Sequence, residues 1–198
     1  MDIKSIFEFI SFVNKSTIVK RGVVLPSREG FESDGEHCYQ LSLLCWYLVD
    51  LYQLPLNKEL VLEYALCHDL VEAYAGDTDV YKSTAEFLAS KRARENEALK
   101  NIQAQFENQT NICNLIKEYE EKRNDEARLV YLMDKILPVI NTFLAKDNYY
   151  IENRVSYEKW KNWLLSKIEE AKFENIEINN FLKQIIIFFE ENKKDFFK

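Results

Sequence analysis

Residues 65–77 read ALCHDLVEAYAGD, an apolar stretch that carries His68, Asp69, Glu72 and Asp77. The whole chain holds two histidines, and one of them stands here. Val61, Ala65, His68 and Glu72 recur at spacings of three and four, so they line one side of a helix running from about Lys58 to Tyr74. Asp69 edges onto the same side, and Gly76 is placed to end the helix. The apolar members turn that side inward. An unpaired buried charge costs several kcal/mol, so the imidazole and the carboxylates need partners.

The neighbouring segments repeat the pattern. A helix from about Glu36 to Tyr52 carries an apolar stripe of Leu41, Leu44, Cys45, Leu48 and Val49, and His37 precedes it on the same side. Further on, LVYLMDKILPVI at 129–140 buries Asp134 among Val130, Met133 and Leu137. Taken singly, a core histidine is more often a packing residue, and Asp134 could pair with a nearby Lys or Arg. Taken together, two histidines and two aspartates from three helices converge on one core. One divalent ion would satisfy His37, His68, Asp69 and Asp134 at once. Two nitrogens and two carboxylate oxygens suit manganese, cobalt, iron or zinc better than magnesium.

Further out, the chain reads as all-α, one domain over residues 1–198. Only four glycines and three prolines interrupt 198 residues, which favours long helices. The remaining helices are expected at about 2–13, 84–107, 111–121, 125–144 (with Pro138 kinking it), 156–172 and 177–194. The helix at 84–107 is rich in Lys, Arg and Glu and reads as a solvated outer face. Residues 14–35 hold Gly22, Gly30 and Gly35 and read as a long irregular loop of functional weight. The last helix, INNFLKQIIIFFEEN, has an apolar band wide enough for core packing and a share in a homodimer contact.

Composition narrows the class. A hydrophobic fraction of 47% supports a real core, and a net charge of -7 argues against a nucleic-acid polymer as partner. Cys38, Cys45, Cys67 and Cys113 form no Cys-x-x-Cys pair and read as reduced thiols. MDIKSIFEFISF makes a poor signal peptide, and the longest apolar run, IIIFF at 185–189, is far too short to span a bilayer. The expectation is a cytoplasmic protein without a membrane partner.

His37, the pair His68-Asp69 and the distant Asp134 resemble the H…HD…D signature of the HD-domain metal-dependent phosphohydrolases. Glu36-His37 opening a helix, followed by His68-Asp69-x-x-Glu72-x-x-x-Gly76-Asp77, is similar to the 5′-deoxynucleotidase branch of that family. The similarity covers roughly residues 15–145. It implies an HD-type helical bundle, one divalent metal, and a nucleotide substrate that loses its 5′-phosphate. It implies catalytic roles for Glu72 and Asp77, and a phosphate contact from Arg21, which stands at about the place of the family's loop arginine; Arg28 is a second choice. One position departs. The bacterial nucleotidases carry a tryptophan after that arginine, and this chain has Gly22. An open sugar side there predicts weaker selection of deoxyribose over ribose.

Two other functions compete. A deoxynucleoside triphosphohydrolase would draw on Arg21, Arg28, Lys82 and Lys91 for its extra phosphates. A non-catalytic, metal-stabilised helical module would need only the four ligands, and leaves Glu72 and Asp77 without a use.

Overall fold

The computed structural model describes residues 3–26, 29–106 and 111–198. Arg28 and the expected helix ends Asp2 and Glu107 lie outside these residues. In chain order the elements are α1 (Ile3–Thr17), β1 (Lys20–Val24), β2 (Phe31–Ser33), α2 (Asp34–Leu51), α3 (Lys58–Cys67), α4 (Glu72–Ala75), α5 (Ala85–Phe106), α6 (Ile112–Glu120), α7 (Asp125–Leu144), α8 (Tyr149–Glu152), α9 (Tyr157–Ala171), α10 (Ile176–Glu191) and α11 (Lys193–Phe196). Apart from one small hairpin the fold is all-α.

Helix α7 is the axis. Asn124 caps its N-terminus by accepting from Ala127 N, and Asp125 and Glu126 favour the positive end of the dipole. Twelve of its residues are buried, including Leu129, Val130, Leu132, Met133 and Ile136. A helix apolar on so many sides is enclosed by its neighbours. Here α2, α3, α6 and α9 pack around it. Asp134 therefore sits in the middle of the protein. Helix α2 starts at a full capping box: Ser33 Oγ accepts from Glu36 N, and Glu36 Oε2 accepts from Ser33 N at 2.9 Å. That box fixes the first turn, where His37 stands.

Three expectations change. Residues 14–35 are partly regular: α1 runs on to Thr17, and β1 pairs antiparallel with β2, Lys20 opposite Ser33 and Val24 opposite Phe31. Strands this short, with an irregular register between those pairs, show no period of two in sequence. Secondly, the helix expected at 58–74 breaks. Helix α3 stops at Cys67 and α4 starts at Glu72. Between them the ladder tightens to three-residue spacing, with Leu70 N on Cys67 O at 3.1 Å and Glu72 N on Asp69 O at 2.9 Å. Three-residue turns eclipse side chains at i and i+3, which brings Asp69 and Glu72 to one side.

The third change concerns α5, expected to be a solvated face. It buries Ala98, Ile102 and Phe106, and it turns Lys91 and Glu95 toward an internal cavity. Long charged side chains hide such a stripe, because their stems cover apolar surface while their heads stay wet.

The C-terminal helices pack onto α7 through α9. Trp160, Leu164, Leu182 and Phe189 are buried, and Phe189 meets Phe143 of α7 at 5.6 Å and Trp160 at 5.2 Å. The apolar band of α10 is thus largely covered by its own chain, with Ile187 and Phe188 left 54% and 42% exposed. All four cysteines are free. Among the described residues no helix is long and apolar enough to cross a membrane.

Candidate metal centre and cavity

The two histidines meet at the core, their ring centroids 5.6 Å apart. His68 Nδ1 lies 3.1 Å from Ala65 O. A carbonyl only accepts, so Nδ1 carries a proton, and in the neutral ring Nε2 is the nitrogen left to face a metal. That Nε2 is buried with no hydrogen-bond partner, 3.1 Å from Asp69 Oδ2 and 3.7 Å from Asp134 Oδ1. His37, fully buried, aims Nε2 at Asp134 Oδ1 at 3.0 Å and at Asp69 Oδ2 at 4.0 Å. Its other nitrogen stands 3.8 Å from Glu32 Oε2, too far for a hydrogen bond.

One donor atom from each of His37, His68, Asp69 and Asp134 falls within 4.8 Å of the others. Ligand distances of about 2.0–2.2 Å fit inside such a cluster, so these residues suit a divalent ion. The orphaned His68 Nε2 is the observation that supports the fit. Asp134 also realises the plainer reading of its sequence, because Oδ2 accepts from Lys135 Nζ at 2.5 Å while Oδ1 faces the histidines.

Arg21 comes to the same point from β1. Its side chain is 13% exposed, and Nη1 lies 2.6 Å from Asp69 Oδ2 and 3.3 Å from Asp34 Oδ1. Asp34, Asp69 and Glu72 form a second group whose carboxylate oxygens approach within 4.8 Å. Crowding acts on the acids in opposite directions. Burial, then the charge of Asp69, raises Glu72 well above the usual carboxylate range. The same two causes push Asp34 up to about 6. Burial also opposes ionisation of Asp69, yet His68 and Arg21 hold it far below the usual range.

Six of the seven expected site residues, Arg21, His68, Asp69, Glu72, Asp77 and Asp134, line one cavity of about 410 Å³. His37 sits behind it. Asp77 follows Gly76, whose φ of 71° and ψ of 154° belong to a region that side chains rarely adopt. The turn leads into the segment Asp77 to Tyr81, which lines the cavity. Arg94 of α5 fastens that segment, donating to Ala75 O at 2.6 Å and Thr78 Oγ1 at 2.8 Å.

Sequence reasoning missed several neighbours. Glu32 and Asp34 are almost wholly buried, and the capping signal Ser33-x-x-Glu36 beside them was the available clue to their place. Tyr119 packs its ring on His68 at 5.2 Å, and no local signal marks it. The space beside Gly22 is not open: Asp79 and Tyr149 occupy it.

A family model described as HD domain matches residues 13–177. The chain is 27% identical over 184 residues to the 5'-deoxynucleotidase HDDC2 of Danio rerio, covering 91% of this chain and 86% of that protein. It is 25% identical over 185 residues to the 5'-deoxynucleotidase hdd1 of Schizosaccharomyces pombe, covering 85% and 91%. The solved structure of a "predicted metal-dependent phosphohydrolase" from Magnetospirillum magnetotacticum MS-1 matches with a TM-score of 0.80 at 19% identity, over 99% of this chain and 98% of that one. At that identity the likeness speaks for the fold alone.

Proposed function

The chain belongs to the HD-domain family, and from that premise we propose that it is a divalent-metal-dependent phosphohydrolase acting on nucleoside 5′-monophosphates, deoxynucleotides among them. The observation that carries the reading is the shared cavity: a four-donor metal cluster, a buried arginine and two further carboxyls face one space. Two relatives of similar length bear the name 5'-deoxynucleotidase, which supports the substrate class.

In this reading His37, His68, Asp69 and Asp134 hold the ion. When bound, it supplies Lewis-acid polarisation of the phosphoryl oxygen and lowers the pKa of water. Arg21 neutralises phosphate charge with a planar fork that Lys20 lacks. Water attacks phosphorus as the P–O5′ bond breaks, and inorganic phosphate and the nucleoside leave. Of Glu72 and Asp77, one takes the proton of the attacking water and the other gives a proton to the departing O5′. Burial raises Glu72 well above its ordinary value and raises Asp77 as well, which brings both nearer the pH at which they must work.

A monophosphate fits this cavity better than a triphosphate. Its lysines are already matched: Lys91 with Glu95 at 3.4 Å, Lys135 with Asp134, and both Lys122 and Lys167 with Glu170 at 3.0 and 2.9 Å. Two more phosphates would need cations that these carboxylates hold. The test is phosphate release from mono- and triphosphates after chelation and re-addition of single metals. Inorganic phosphate from monophosphates, dependent on added ion, is the expected result; release of triphosphate would overturn the assignment.

A further inference from the structure

Helix α2 is apolar on two sides. One side, with Leu41, Cys45 and Leu48, is buried in the core, and His37 stands on it. The opposite side carries Tyr39, Leu43, Trp46, Tyr47 and Leu51, which recur at spacings of three and four along the helix. These five are 46–65% exposed. A helix that is apolar all round belongs in an interior, so the outer side of α2 lacks a cover. The stripe holds one charge, and it is spent: the Asp50 carboxylate accepts from Trp46 Nε1 at 2.8 Å and pairs with Lys58. Aromatic residues on a stripe without free charge have the composition of an interface core, and Trp and Tyr are its usual anchors.

We propose that a second copy of the chain covers this face, α2 against α2 about a two-fold axis, so that the protein is a homodimer. The area is sufficient. Large side chains of this kind present about 150–250 Å² when free, so five of them half-exposed offer about 500 Å². A stable dimer buries about 800 Å² per partner, about 65% of it apolar in homodimers, which is a matching amount. Charge selects the occupant. With a net charge of -7, two copies repel except where they meet on a neutral face, and pairing of Asp50 with Lys58 leaves this face neutral. Helix α2 contains no lysine or arginine, which an anionic membrane or a nucleic acid would require. A two-fold axis makes the contact self-complementary and closes it at two copies. Helix α10, where the sequence suggested a dimer contact, keeps Leu182 and Phe189 in its own core and has a smaller exposed remainder. The dimer also backs the helix that carries His37, a donor of the metal cluster.

The experiment is molar mass by light scattering and sedimentation velocity over micromolar concentrations. The wild type should have twice the mass of one chain. Leu43→Glu with Tyr47→Glu brings four carboxylates to the axis and should raise the dimer dissociation constant by about 100-fold or more. Both side chains already face solvent within one chain, so the variant should keep the far-UV circular dichroism of the wild type. The uncharged pair Leu43→Gln and Tyr47→Gln, milder to the fold, should weaken the dimer in the same direction. Ile187→Glu with Phe188→Glu on α10 should leave it intact. In the wild type, dilution should shift tryptophan emission to the red as Trp46 becomes wet, and Trp46→Phe should remove that shift. A wild type of single-chain mass throughout overturns the proposal; if that monomer sediments with phosphatidylserine vesicles, the face belongs to a membrane. A dimer that persists in the Leu43→Glu, Tyr47→Glu variant, or is lost in the α10 variant, overturns it as well.

Discussion

Arg21→Ala should expose two separate functions of one side chain. The guanidinium is 13% exposed and bonded to Asp69 at 2.6 Å and Asp34 at 3.3 Å, so its removal leaves buried acids without their counter-charge. Breaking a buried ion pair from one side costs about 3–5 kcal/mol. For a domain of this length each kcal/mol moves Tm by about 2–4 °C, which gives a fall of about 6–20 °C in the metal-free protein. A bound dication neutralises Asp69 from the other side, so the fall should be smaller with metal present. The kinetic effect is distinct. A lost charge-assisted hydrogen bond to phosphate should lower kcat/KM by about 10- to 150-fold for every base. Arg21→Lys should recover part of it, since an ammonium makes no two-pronged contact. Thermal unfolding with and without chelator, beside kinetics on one deoxynucleotide, checks both. An unchanged kcat/KM would remove Arg21 from substrate binding, and an equal Tm shift in both metal states would refute its role as counter-charge to the ligands.

Three further outcomes follow from the same geometry. Asp69→Ala and His68→Ala should lose metal and activity, whereas Glu72→Gln should keep metal by elemental analysis and lose about 10²–10⁴-fold in kcat; metal loss in Glu72→Gln would make it a ligand. Arg94→Ala should loosen the segment that carries Asp77 and lower kcat with little change in metal content, and wild-type turnover in that variant would show that the segment holds itself. The metal-free protein should lose Tm as pH rises through about 6 and beyond. Asp34, pushed up to about 6, with Glu72 and His68, also raised, binds protons more tightly when folded, so their stability is full below their unfolded values and is lost as pH climbs through the folded ones. Asp69 and Asp134, held low, act only below about 4. A flat profile without metal would refute this.

What could be read in advance depended on how local its cause was. Helix α7 was legible to the residue at both ends, because a cap, an acidic first turn and an unbroken apolar pattern all act within a few residues. The break after Cys67 was not legible. Nothing in LCHDLVEAY forbids a continuous helix, and the tightening at His68–Val71 answers to the cluster of charges that it must turn toward one point. The hairpin at 20–33 was lost for another reason: strands of five and three residues carry too little pattern, and their stability comes from packing on α7 and α2.

The same distinction separates the two halves of the cavity. The metal half was visible because its residues are expensive: a histidine or aspartate on an apolar helix face demands a partner, and four such demands on three helices point to a common answer. The half around Gly22 and Asp79 gave no such signal. Asp79 sits in a polar segment where an aspartate needs no explanation, and Gly22, though it lay in a loop given functional weight, carried no sign of what it would meet. Only the fold makes them a pair. It lays β1 beside the segment after Gly76 and brings Tyr149 from 70 residues away to bond the carboxylate. The absence of a side chain at 22 and the carboxylate at 79 are one feature, because a Cβ at 22 would overlap Asp79 Oδ2, and a substitution at the first should displace the second.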